Sequence, residues 1–131
     1  MGADLLVLID TSAWIDVFRG RTPALAVQVR ALIEEERAAL CDVVLAEIRI
    51  GLREEERAKV MSLLEAIPVL PLAREDWASA GDLGAALRTR GRTVPLTDLL
   101  IAALCRRTGA AVLTLDGHFC GIEGLRLVER S

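Results

Sequence analysis

The run Leu5-Leu6-Val7-Leu8-Ile9, closed by Asp10, constrains the fold of this chain more than any other stretch. It is apolar without alternation, so a strand formed here has no face to offer to water and must be covered on both sides, as in a parallel sheet. It is expected to be the first and central strand. A second run of the same kind, Ala111 to Leu115, ends at Asp116. Both aspartates therefore fall where a parallel strand hands over to its connection, and both should project from the same edge of the sheet.

Between the two runs the signals are mostly helical. Ser12 can cap a short helix through Phe18, and Pro23 opens a second helix with Leu25, Val29, Leu32 and Ile33 at helical spacing. A short strand is expected at Ala38 to Cys41, followed by a helix from an Asp42 cap to Gly51. Further helices are expected over Glu54 to Ala66, Arg74 to Arg90 and Asp98 to Arg107. Ile67 to Leu72 carries two prolines and reads as a short edge strand, and Leu125 to Val128 as a terminal one. Every consecutive strand pair but the last is separated by helix, which predicts parallel pairing through crossovers. The expected class is α/β: a three-layer α/β/α sandwich around a central parallel sheet, with residues 1–131 as a single domain. In such folds sites form beyond the carboxyl ends of the strands, where strand order reverses.

Composition narrows the functional classes. The residues are 53% hydrophobic with two Trp, two Phe and no Tyr, so packing must be aliphatic. No apolar run approaches a bilayer span and no leader pattern stands at the start, so a cytoplasmic protein without a membrane is expected. Cys41, Cys105 and Cys120 form no C-x-x-C pair and read as free thiols serving as small core residues. The net charge of −3 argues against nucleic acid until the acids are sorted. With four of them assigned to a cation, sixteen bases face fifteen acids, and all of the bases but Lys59 are arginine.

Four carboxylates stand out by position. Asp10 and Asp116 follow strands, Asp98 begins a helix beside Thr97, and Glu47 shares a predicted helix face with Val43 and Ile50, the stripe expected to meet the sheet. Each has a plainer reading: turn formation for Asp10 and Asp116, capping for Asp98, an ion pair with Arg49 or Arg53 for Glu47. Together on one edge they would repel one another unless a cation lay among them. Magnesium or manganese suits an all-oxygen set, and with His118 as the only histidine a zinc site or a Ser-His-Asp triad has too few ligands.

The segments Leu-Ile-Asp10-Thr-Ser12-Ala-Trp14-Ile, Leu-Ala-Glu47-Ile-Arg-Ile-Gly51, Pro95-Leu-Thr-Asp98-Leu-Leu-Ile101 and Leu-Thr114-Leu-Asp116-Gly-His118-Phe119 stand in one order along nearly the whole chain. As an ordered set they resemble the motifs of PIN-domain ribonucleases of the VapC toxin type. That resemblance implies a metal-dependent endoribonuclease that cleaves RNA phosphodiester bonds and is held in check by a VapB-type antitoxin, in a homodimer. It implies Asp10, Glu47, Asp98 and Asp116 as catalytic ligands of one or two Mg²⁺ or Mn²⁺ ions, and Ser12 and Thr114 as supporting hydroxyls. Trp14, Ile15 and Phe18 would border the antitoxin's groove, with core burial as the plainer reading. Arg88, Arg90 and Arg92, leading towards Asp98, would hold RNA phosphates or simply end a solvated helix. His118 fits a turn role.

Three rivals come from other classes. A phospho-acceptor receiver domain wants a lysine after a late strand, and Lys59 falls in a predicted helix. A dehalogenase-like phosphatase wants a second aspartate where Ser12 stands. A catalytically inactive PIN-fold module binding RNA or a partner would keep the fold and lose the chemistry.

Overall fold

The structure is a computed structural model, and it describes residues 5–131. Its centre is a parallel sheet of three short strands, β1 (Val7–Ile9), β2 (Ala38–Ala39) and β3 (Ala111–Leu113), in the order β2-β1-β3. Val7 faces Ala38 and Ala111 across the two ladders, and Ile9 faces Leu113. All three residues of β1 are at most 1% exposed, as a strand covered on both faces requires. The first strand is the central one, and the fold class expected from the sequence is the one observed.

Six helices provide the cover: α1 (Thr11–Phe18), α2 (Pro23–Glu34), α3 (Asp42–Gly51), α4 (Glu54–Leu64), α5 (Arg74–Thr89) and α6 (Leu96–Thr108). The chain runs from β1 through α1 and α2 to β2, then through the remaining four helices to β3 on the other side of β1. The order thus reverses at β1, and the crevice beyond β1 and β3 is the natural place for a site. Helix α6 is buried continuously from Asp98 to Cys105, so its amino end is held firmly beside that crevice. None of the helices among the described residues is long and apolar enough to cross a membrane.

Several elements are shorter than the hydrophobic pattern predicts, and hydrogen bonds show why. Strand β1 loses Leu5 because the guanidinium of Arg37 donates to the Leu5 carbonyl at 3.0 Å. Strand β3 stops at Leu113 because the amides of Leu115 and Asp116 turn to the hydroxyls of Ser12 and Thr114. The proline-bearing segment 67–72 contributes one bridge, Val69 with Leu40, and the terminal segment one, Leu127 with Val112. Pro68 and Pro71 have no amide to donate, so a longer ladder cannot form.

Helix starts also shift. Asp10, not Ser12, occupies the cap position of α1, and Cys41, not Asp42, that of α3. Asp42 lies inside the first turn, where its charge still suits the helix dipole. Cys41 and Cys105 are buried core residues as expected, whereas Cys120 is exposed, since it lies beyond the 3-10 turn Gly117–Phe119, which anchors itself through Phe119 instead.

Candidate metal centre

Asp10 is 4% exposed at the junction of β1 and α1, with its amide bonded to the carbonyl of Leu113. The Oδ2 atom of its side chain accepts from Thr114 Oγ1 at 2.8 Å and from Ser12 Oγ at 2.9 Å. The two hydroxyls lie 3.2 Å apart and accept in turn from the amides of Asp116 and Leu115. Both hydroxyl bonds go to one oxygen, so the carboxylate is oriented while Oδ1 has no hydrogen-bond partner among the described residues. Such a network fixes the angle at which a carboxylate faces a ligand.

Asp98 reaches the same crevice from the first turn of α6 and is 8% exposed. Pro95 precedes the helix at its cap, so Asp98 does not cap it. Its carboxyl is pushed above the ordinary aspartate range, first by burial and then by the charges of Asp10 and Asp116, although a hydrogen bond with His118 opposes this. Asp116 arrives from the turn after β3 and accepts the backbone amide of His118 on Oδ1 at 2.9 Å.

His118 completes the cluster. Its Nδ1 lies 2.8 Å from Asp98 Oδ2 and 3.0 Å from Asp116 Oδ1, and the imidazole is raised above its ordinary value, chiefly by the hydrogen bond with Asp98. One donor atom each from Asp98, Asp116 and His118 fall within 4.8 Å of one another, close enough to share a metal ion.

The four expected acids are therefore gathered unequally. Asp10 is not one of the close three, although it is near enough to act on the charge of Asp98. Glu47 is not one of them either. The buried stripe of α3 runs through Val44 and Ile48, Ile50 is 85% exposed, and Glu47 is half-buried at the margin of that stripe. The expected stripe starts one residue too early, at Val43 instead of Val44, because Val43 and Ile50 are as apolar as the residues that carry it. Glu47 takes no ion pair with Arg49 or Arg53; its Oε1 accepts from Thr11 Oγ1 at 2.8 Å, which ties α3 to the residue beside Asp10.

Thr11 was not singled out in the sequence, and its place between Asp10 and Ser12 was the available signal. Arg92 also gains a structural task. It is half-buried, and its guanidinium donates to the carbonyls of Cys120 and His118 at 2.9 and 3.1 Å, bracketing the turn that carries the imidazole. Arg88 and Arg90 are exposed at the end of α5. Lys59 lies on α4, so the lysine that a receiver domain needs at a strand end is not there.

A second feature lies between α1, α2 and α4: a groove of about 680 Å³ walled by Trp14, Val17, Phe18, Val29, Ile33 and Leu63. Trp14 is 1% exposed and stacks on Phe18 with ring centroids 5.7 Å apart. Its Nε1 has no hydrogen-bond partner among the described residues. Ile15 does not line this groove, and its Cδ1 lies instead against Gly51 of α3.

The chain is similar to known proteins along nearly its whole length. Residues 7–125 match the PIN domain family. Ribonuclease VapC11 of Mycobacterium tuberculosis is 37% identical over 119 residues, covering 87% of this chain and 89% of that protein. Ribonuclease VapC5 of the same organism is 31% identical, covering 93% and 91%. Among solved structures, VapBC2 from Rickettsia felis, bound to a DNA fragment from their promoter, superposes with a TM-score of 0.83 at 20% identity, covering 97% of this chain and all of that one. VapBC-5 from M. tuberculosis, described as a toxin–antitoxin system, gives 0.67 at 29% identity, covering 96% and 98%.

Proposed function

We propose that this chain, which belongs to the PIN-domain family, is a divalent-metal-dependent endoribonuclease of the VapC type that acts as the toxin of a cytoplasmic toxin–antitoxin pair. The observation that carries this reading is the approach of Asp98, Asp116 and His118 within 4.8 Å at the edge where Asp10 is held by two hydroxyls. The donor set fits a hard or borderline cation: it is anionic, it is rich in oxygen, and burial of Asp98 makes its charge unfavourable without a positive partner. When bound, Mg²⁺ or Mn²⁺ supplies Lewis-acid polarisation of a phosphodiester and lowers the pKa of a bound water.

The side chains divide the remaining work. Asp10, Asp98 and Asp116 would hold the cation, with Glu47, tied to Thr11 beside Asp10, as the fourth acid of the set, and one or two ions are compatible with it. Ser12 and Thr114 hold the Asp10 carboxylate at a fixed angle, and Thr11 does the same for Glu47. Arg88 and Arg90 are free to meet RNA phosphates at the open end of α5, whereas Arg92 serves the His118 turn first.

For the partner, the groove walled by Trp14 and Phe18 supports docking of an apolar antitoxin segment. Ile15, turned to α3, stands outside that surface. Homodimerisation belongs to the same reading.

The test is RNA cleavage by purified protein, with and without added Mg²⁺ or Mn²⁺, alongside Asp10→Asn and Asp98→Asn. Cleavage should need the cation and vanish in both variants while their folds persist. Full activity in both would overturn the assignment. Uncleaved RNA in every condition, with binding retained, would favour the inactive binding module.

A further inference from the structure

We propose that His118 is a nitrogen ligand of the bound cation and biases the site towards manganese over magnesium. The inference rests on the reading above for the presence of a cation, and goes beyond it in naming the ligand and the preferred ion. Its ground is the seat of the imidazole. Nδ1 stands 2.8 Å from Asp98 Oδ2 and 3.0 Å from Asp116 Oδ1, bridging carboxylates from two separate elements.

Three contacts keep it there. Asp116 Oδ1 also accepts the backbone amide of His118, so the two residues are fixed relative to each other. Arg92, from the loop before α6, grips the carbonyls of His118 and Cys120 and thereby joins the turn to the segment that delivers Asp98. Phe119 is 1% exposed and roots the turn in the core, while 44% of the His118 side chain remains accessible. An imidazole so placed between two acids is either their hydrogen-bond donor only or a third donor atom of the same ligand set. The gathering of one donor atom from each of the three residues within 4.8 Å is what the second role requires.

The ion preference follows from ligand chemistry. Magnesium demands oxygen donors in near-ideal octahedral geometry, whereas manganese accepts imidazole more readily and stands at the start of the series in which nitrogen affinity grows. One nitrogen in a set otherwise made of oxygen therefore shifts the balance towards manganese.

The experiment uses the full, untagged chain stripped of metal, with Mn²⁺ added and no RNA present. His118 is the only histidine, so imidazole coordination has one source. Pulsed electron paramagnetic resonance should show the hyperfine coupling of a directly bound ring nitrogen in the wild type and lose it in His118→Asn, whose amide still offers a hydrogen-bond donor. Calorimetry should show the Mn²⁺ to Mg²⁺ affinity ratio falling about tenfold in His118→Asp, where oxygen replaces nitrogen. Thermal melts check that both variants fold. Bound Mn²⁺ without nitrogen coupling would overturn this inference and leave the metal centre standing. Failure of Mn²⁺ to bind the wild type at all would overturn both.

Discussion

Thr114 donates its hydroxyl to Asp10 Oδ2 at 2.8 Å across the ends of two parallel strands, β1 and β3. The same hydroxyl accepts the amide of Asp116, so the residue that terminates the ladder also sets two of the acids in place. Thr114→Val keeps the shape and removes both bonds. It should lower RNA cleavage about 10- to 100-fold, the usual effect of removing a group that orients a metal ligand. Thr114→Ser should restore most of the loss. Cleavage rates at saturating Mn²⁺, with melting curves to confirm folding, provide the check; equal rates for the valine variant and the wild type would remove Thr114 from the site.

A buried carboxylate among like charges opposes folding until something neutralises it. Asp98 is held above the ordinary aspartate range by burial first and by Asp10 and Asp116 next, so at neutral pH its ionised form weakens the metal-free fold. Adding Mn²⁺ should raise the melting temperature, by the equivalent of about 2.7 kcal/mol at 100 times the dissociation constant. Asp98→Asn should melt higher than the wild type without metal and respond far less to its addition. A wild type that melts at one temperature with and without Mn²⁺ would contradict the electrostatic account of this cluster.

What could be read from the sequence follows physical range. Continuous apolar runs made β1 and β3 visible, and the acid after each run placed Asp10 and Asp116 on one edge. The helices were visible through their spacing. Less visible were features decided by contacts between distant residues. Whether Val43 or Val44 faces the core depends on how α3 lies against α1 and α6, which no local periodicity reveals. The pairing of Thr11 with Glu47 joins residues 36 positions apart. His118 reads locally as a turn residue because Gly117 precedes it, and only the arrival of α6 brings Asp98 against its ring.

Arg107 on α6 grips Asp76 on α5 with two hydrogen bonds, Nε to Oδ1 at 2.8 Å and Nη2 to Oδ2 at 2.9 Å. Asp76 is 1% exposed and also accepts the amide of Ala73, so it closes the start of α5 and fastens that helix to α6. The guanidinium holds the Asp76 carboxyl below its ordinary range. The stability this adds is therefore present above the unfolded aspartate pKa of about 3.9 and disappears as pH falls through the lower folded value. Arg107→Met should lower stability at neutral pH, because it leaves the Asp76 carboxylate short of partners. It should also flatten the acid limb of the stability profile. Denaturant titrations between roughly pH 3 and 7 measure both effects; parallel profiles for the two proteins would show that the pair contributes nothing.

Two glycines on α5 should respond in opposite directions to the same substitution. A Cβ at Gly81 meets nothing within 4 Å, so Gly81→Ala should stabilise the helix by about 0.5–1 kcal/mol through reduced chain entropy. A Cβ at Gly84 would stand 2.8 Å from Leu99 Cδ1, closer than packed carbons approach. Leu99 is 6% exposed and follows Asp98 directly, so its methyl has little room to move aside. Gly84→Ala should therefore destabilise by about 1 kcal/mol net, the overpacking penalty exceeding the gain in helix propensity. Leu99 adjoins Asp98 in α6, so Mn²⁺ affinity should fall in Gly84→Ala and stay unchanged in Gly81→Ala. Melting curves and metal titrations of the two variants side by side decide this, and a stabilised Gly84→Ala with unaltered Mn²⁺ binding would mean that α6 gives way more easily than its burial implies.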